Sequence, residues 1–545
     1  MNDKSFRISG NIVDVIAGRI FKGTIIIENG KISSVEDNNN VPDHFILPGL
    51  IDAHIHIESS MLIPSEFARI AVAHGTVATV SDPHEIANVL GIEGVRFMIG
   101  NGKKVPFKFY FGAPSCVPAT PFETSGASIG IRELEELLLS DDIYYLSEMM
   151  NFPGVVWGDP LVLQKLALAK KYNKPVDGHA PGLTGEDAGK YIAGGITTDH
   201  ECFTIQEAID KLKHGMKILI REGSAAKNFE SLIPLVGEYA DEVMFCSDDK
   251  HPDDLVRGHI NEQIKRAIEL GYDPLKVIRC CSLNPVRHYN LDVGLLQKGD
   301  PADFIVVDEL RTFNVLSVFI NGSKVAENGK SMIRSVNETP MNNFHSNYIR
   351  EEDIRASAAG NPVKVIKAMD GQLITEELIA NAKIESDNFI SDTENDILKI
   401  VVKDRYTDSS PSVGFVTGFG LKKGAIGSSV AHDSHNIIAV GADDKSITEA
   451  INLIISSKGG ISYVDGEEKK VLELPFAGLM SGEDGYYVAS RYEIIHNKAI
   501  QMGSKLRAPF MTLSFMALLV IPEIKLSDKG LFDVKNFRFT SLSDF

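Results

Sequence analysis

Two histidines one residue apart, His54 and His56 in Leu47-Pro48-Gly49-Leu50-Ile51-Asp52-Ala53-His54-Ile55-His56, offer the most specific chemistry in the chain. Side chains alternate faces along a strand, so residues i and i+2 point the same way and two neutral imidazoles can grip one divalent ion. An apolar, β-prone run ending in this pair reads as a strand that opens a metal site. A surface strand with two solvated histidines has the same local pattern, so the weight falls on the residues downstream.

Strand-like segments separated by helical stretches end repeatedly in ligand-type residues. Residues 77–83 close on Asp82, with His84 and Glu85 next; 108–118 form a third strand; 144–150 carry Glu148; 175–181 supply His179; 197–201 supply His200; 217–224 hold Arg221; and 242–249 supply Asp248. With the His54 strand the series has eight members. It predicts an α/β fold, a (β/α)8 TIM-like barrel with its chemistry at the C-terminal strand ends. Six imidazole and carboxylate ligands exceed the three or four that one catalytic ion takes, which favours two ions sharing a bridge. The expected partition puts His54, His56 and Asp248 on one ion and His179 and His200 on the other, with Glu148 between them. Two ions about 3.5–4 Å apart can hold a hydroxide and polarise a substrate, the two-metal route to hydrolysis. Asp248 is then placed to shuttle a proton to the leaving group.

Other residues carry two readings each. Asp82, His84 and Glu85 either support substrate or ligands or cap the next helix. Arg221 either holds a substrate edge or pairs with a neighbouring carboxylate. Strand alternation turns Asp199 and Glu201 away from the face of His200, as solvated or structural groups, and lets only one of Asp248 and Asp249 face the metals. His74, His214, His251 and His259 lie off the strand ends and read as ordinary surface or satisfied histidines.

At 545 residues the chain is too long for one domain, and 43% hydrophobic with 24% charged residues is ordinary for a globular protein. A formal charge of -19 argues against nucleic-acid and anionic-membrane partners and for a small target that is not strongly anionic. Five cysteines without regular spacing predict reduced thiols in a cytoplasmic setting. Residues 1–7 lack the apolar core of a signal peptide. The longest apolar stretch, 510–522, is shorter than the roughly 20 residues that cross a bilayer and reads as a buried helix or strand. Residues 1–47 alternate apolar and polar, with a turn at Asn29-Gly30; together with 291–334 and its Asn321-Gly322 turn they predict a small β-sandwich flanking a barrel over 48–290. Residues 335–545 predict a C-terminal α+β domain, with strands at 397–403, 413–418 and 470–474 and an amphipathic helix at 447–457. There His432 and His435, straddling Asp433 and Ser434, either reach over the barrel mouth or cap a local turn.

The Pro48-to-His56 run, the later single histidines, the eighth-strand aspartate and Asn284-Pro285-Val286-Arg287 through Gly299-Asp300-Pro301-Ala302-Asp303-Phe304 resemble the amidohydrolase superfamily. Within it, Ser81-Asp82-Pro83-His84-Glu85-Ile86-Ala87-Asn88, Gly178-His179-Ala180-Pro181-Gly182, Cys246-Ser247-Asp248-Asp249, Ala431-His432-Asp433-Ser434-His435-Asn436 and Leu474-Pro475-Phe476-Ala477-Gly478 resemble the bacterial and archaeal adenine deaminases along essentially the whole chain. The resemblance implies hydrolysis of adenine to hypoxanthine and ammonia in purine salvage, by attack of a metal-bridging hydroxide on the amine-bearing purine carbon. It also implies Mn2+ in the pair, with Fe2+ or Zn2+ as alternatives, and a homo-oligomer, a dimer being favoured. The family pattern selects Asp248 over Asp249. Glu85 and Ser115 are the candidates for reading the purine edge. Strand four offers Glu148 and no lysine, whereas many binuclear members bridge through a carboxylated lysine, which favours a deaminase over the cyclic-amide hydrolases. A related enzyme acting on another ring amine or cyclic amide would share these ligands; a scaffold without catalysis would not need all six. The small zinc deaminases need Pro-Cys-x-x-Cys besides His-x-Glu, and the only closely spaced cysteines of this chain are the adjacent Cys280 and Cys281.

Overall fold

The computed structural model describes residues 5–358 and 360–543. Residues 1–4 of the segment read for a leader, and the last two of the C-terminal domain, lie outside the described residues.

Eight parallel strands form the barrel: β1 (Leu50–Ile55), β2 (Thr76–Ser81), β3 (Lys108–Ala113), β4 (Ile143–Met149), β5 (Val176–Gly178), β6 (Thr198–Asp199), β7 (Lys217–Arg221) and β8 (Val243–Cys246). β1 to β5 pair in chain order, as do β6 to β8. Single parallel bridges join Val176 to Ile196 and Ile55 to Asp248 and close the circle. β1 and β2 are buried along their whole length, as strands are when side chains fill one face and helices cover the other. At the closing seam the Asp248 amide donates to the His54 carbonyl at 2.9 Å, and the His56 amide to the Asp248 carbonyl at 3.2 Å. The seam is backed by a buried network: His259 Nε2 lies 2.8 Å from Asp52 Oδ2, its Nδ1 2.7 Å from Thr76 Oγ1, and Ser247 also bonds Asp52. His259 is thus a satisfied histidine that ties the start of the helix Ile260–Glu269 to β1 and β2.

The chain on either side of the barrel builds one eight-stranded sheet, in which Phe45–Pro48 runs antiparallel to Phe304–Val307 and parallel to Phe6–Asp14. Ile12, Ile25 and Ile27 from the first flank share a core with Phe304 and Phe319 from the second, so the sheet folds over on itself. A second eight-stranded sheet, covered by the helix Asp444–Ser457, forms the body of the C-terminal region. Leu398–Lys403, Ser412–Thr417 and Glu468–Glu473 are among its strands, close to the segments expected from alternation. The apolar stretch at 510–522 is buried and begins as the helix Pro509–Phe515. No helix among the described residues is long and apolar enough to cross a membrane.

Candidate metal centre and substrate pocket

His54 and Glu148 sit inside β1 and β4, and His56, His179 and His200 each follow directly on the last residue of β1, β5 and β6. Gly178 makes room for this convergence: a Cβ there would lie 2.4 Å from the Thr198 carbonyl, so glycine lets β5 and β6 approach. The rings of His179 and His200 stand 5.4 Å apart, and those of His54 and His200 stack at 4.3 Å.

Glu148 faces two sets of imidazoles with its two oxygens. Oε1 lies 3.4 Å from His56 Nε2 and 3.5 Å from His84 Nδ1, while Oε2 lies 3.0 Å from His179 Nδ1 and 3.2 Å from His200 Nε2. Asp248 Oδ1 lies 3.2 Å from His56 Nε2 and 3.5 Å from His54 Nε2. His54, His56 and Asp248 form one group with metal-ligand spacing, and His179, His200 and Glu201 another. Both ring nitrogens of His54 and Nε2 of His179 are buried without a hydrogen-bond partner. Buried polar atoms are nearly always satisfied, so unpartnered nitrogens in a cluster of imidazoles and carboxylates, His54 Nε2 among them at 3.5 Å from Asp248 Oδ1, fit a site for divalent cations. His56 Nδ1 lies 3.2 Å from the Asp82 carbonyl, a bond that fixes the ring and leaves Nε2 free to ligate.

Against their burial, neighbouring carboxylates raise His56, His179 and His200 above the usual histidine range, so a cation entering the cluster displaces their protons. Burial opposes ionisation of Glu148, yet His179 and His200 hold it well below the usual carboxylate range. Asp248 is likewise buried and held low by Arg221 and by His54 and His56. Burial and the neighbouring His200 lower His54, which favours the neutral imidazole that binds metal.

Over this cluster lies a pocket lined on its polar side by His84, Glu85, Asp249, His432 and Asp433, and on its apolar side by Met150, Leu373, Phe515 and Leu518. His432 pairs with Glu85 through Nδ1, and His435 Nε2 lies 2.5 Å from the other Glu85 oxygen. Against its burial, Glu85 and Asp249 raise His432 to about 9. The C-terminal domain therefore reaches over the barrel mouth.

Comparison with known proteins places these features. The amidohydrolase family model matches residues 45–325, and the model described as the adenine deaminase C-terminal domain matches 372–538. An adenine deaminase of Methanosarcina mazei is 55% identical over 546 residues, with 98% of each chain covered, and one of Sulfurovum sp. is 57% identical over 533 residues with the same coverage. The chain belongs to the adenine deaminase family. It is a hydrolytic deaminase of the metal-dependent amidohydrolase superfamily. Among solved structures it is similar to a β-aspartyl dipeptidase of Fervidobacterium islandicum AW-1, at 16% identity and a TM-score of 0.46, covering 62% of this chain and 99% of that one.

Strand alternation misplaced two neighbours of the ligands. Glu201 does not turn away from His200: its Oε1 lies 3.4 Å from His200 Nε2 and 3.7 Å from His179 Nδ1. β6 ends at Asp199, so the alternation of a strand no longer governs Glu201. Asp249 also lines the pocket beside Asp248, because β8 ends at Cys246 and Asp248 takes a left-handed φ of 55°. Asp199 does turn away, but it is fully buried rather than solvated, paired with Lys211.

Three further residues support rather than line the site. Arg221, fully buried, pairs with Glu201 and lies 2.7 Å from Asp248 Oδ2, joining two carboxylates of the cluster. Ser115 donates to the Glu148 carbonyl at 2.5 Å instead of facing the pocket. Asp82 reaches His84 twice, accepting its backbone amide at 3.1 Å and facing Nδ1 at 3.2 Å. Sequence reading missed Lys211, whose ammonium bridges Asp199, Glu207 and the Ala180 carbonyl and so ties the His179 loop to β6. Lys211→Met strands two buried carboxylates and is expected to cost about 3–5 kcal/mol. A urea midpoint lowered at constant m would register it; a loss below about 1 kcal/mol would contradict this role.

Proposed function

We propose that this chain hydrolyses adenine to hypoxanthine and ammonia at a binuclear manganese centre held by His54, His56, Glu148, His179, His200 and Asp248. The single observation that carries the reading is Glu148, one carboxylate with each oxygen turned to a different imidazole set. The all-imidazole and carboxylate donor set suits hard first-row ions such as Mn2+. When bound, such ions lower the pKa of water and polarise the substrate.

The residues then divide the work. Asp248, ionised at neutral pH through Arg221 and the imidazoles, accepts the proton of the attacking water and delivers it to the departing amine. Glu148 fixes the two imidazole sets relative to each other. His84, Glu85 and Asp433 supply polar groups along one edge of the pocket, where ring nitrogens of a purine need partners, and Phe515, Leu373 and Leu518 supply the apolar face that a planar base covers. Placing the protein in purine salvage, in the cytoplasm and as a dimer completes the reading; five free cysteines support the second, and the end strand Lys330–Ser331 of the flanking sheet the third.

The test is ammonia release from adenine, adenosine, guanine and cytosine by manganese-loaded protein. Adenine turnover well above the others is expected. Silence on adenine with metal bound would leave the hydrolase architecture and overturn the substrate.

A further inference from the structure

The apolar cover of the pocket comes from two segments outside the barrel and far apart in the chain, at Leu373 and at Phe515. One side chain holds both. Lys525, on the strand Ile524–Ser527, is fully buried, and its Nζ donates to the Leu373 carbonyl at 2.8 Å and to the Phe515 carbonyl at 3.0 Å. The same strand is stitched to the first segment by the Thr375 hydroxyl, donating to the Ile524 carbonyl at 2.9 Å, and to the second by the Leu526 amide, donating to the Met516 carbonyl at 3.0 Å. From Phe515 the contacts run inward: its ring stacks on His432 with centroids 5.3 Å apart, and His432 pairs with Glu85 beside the metal cluster. Burying an amine against two carbonyls costs more than burying methionine, which would fill a similar space, so packing alone does not account for lysine here.

We propose that Lys525 is a positioning residue for substrate binding, a single amine that holds both segments of the apolar cover in the register that receives the base. The proposal takes from the adenine reading only what the cover binds. Burial alone lowers the Lys525 amine to about 7, with no charged group on the elements packed around it contributing. Below that pH an ammonium makes charge-assisted bonds to both carbonyls; above it a neutral amine makes weaker ones, so the cover loosens as pH rises.

The experiment compares full-length, manganese-loaded wild type with Lys525→Met and Lys525→Gln. KM for adenine is expected to rise on the order of ten-fold in Lys525→Met, with kcat within about threefold and metal content unchanged. Amide exchange should quicken at 371–376 and 513–519 and stay unchanged in β1 and β8. Wild-type KM should rise as pH passes about 7, while that of Lys525→Met stays high and flat. Unchanged KM and unchanged exchange in the variants would overturn the proposal, as would a fall in kcat at constant KM or a loss of metal. If neither variant folds, wild-type exchange decides: protection of the two segments that falls above about pH 7, corrected for intrinsic rates, supports it, and pH-independent protection overturns it. Exchange needs no substrate, so a wild type silent on adenine would sink the substrate reading alone.

Discussion

Asp248→Asn is expected to lower kcat for adenine by about 10³-fold or more, because in the proposed mechanism it removes the proton carrier and one charged ligand together. The amide keeps the shape of the side chain beside Arg221, so the fold should survive. Glu148→Gln should fail differently. Its carboxylate faces His56 and His84 with one oxygen and His179 and His200 with the other, so neutralising it loosens both imidazole sets. Bound metal, measured by elemental analysis after gel filtration, should fall below the roughly two ions per chain proposed for the wild type, and turnover should fall with it. A Glu148→Gln protein with full metal and near-wild-type rate would remove the bridge from the account.

Glu85→Gln is the second large effect, and it separates substrate handling from metal binding. Glu85 anchors the C-terminal domain to the barrel through His432 and His435, and all three are buried. Neutralising it leaves the buried His432 ring with weaker carboxylate partners, Asp249 at 3.8 Å and the adjoining Asp433. Truncating a buried charged pair costs about 2–5 kcal/mol, which at about 1.4 kcal/mol per decade corresponds to a fall of about 30-fold to 4 × 10³-fold in kcat/KM. Metal content should stay at the wild-type level. Loss of metal in Glu85→Gln would place Glu85 among the ligands, and unchanged kcat/KM would remove it from the pocket's working groups.

The sequence made the barrel legible because its strands carry ligands at regular stations, and His54 with His56 declares its own face through the period of two. That rule held where backbone stays extended. It failed at Glu201 and Asp249, just past the ends of β6 and β8, where nothing local announces that the strand has ended. Ser115 and Arg221 illustrate a second limit: both lie next to ligands, yet one serves the Glu148 carbonyl and the other joins Glu201 to Asp248, roles that only tertiary placement reveals. The cover is the extreme case. Glu85 and His432 are 347 positions apart, and the apolar run around Phe515 proclaimed burial without naming what it would bury. His432 and His435, spaced around Asp433, were the one local sign that the C-terminal domain carries chemistry.

The most direct test of the account is a metal titration of stripped protein, following adenine turnover and bound manganese together. Activity that climbs until about two ions per chain are bound and then levels is the predicted result. Full activity at one ion, or turnover by the stripped protein, would contradict a centre in which Glu148 joins two metals.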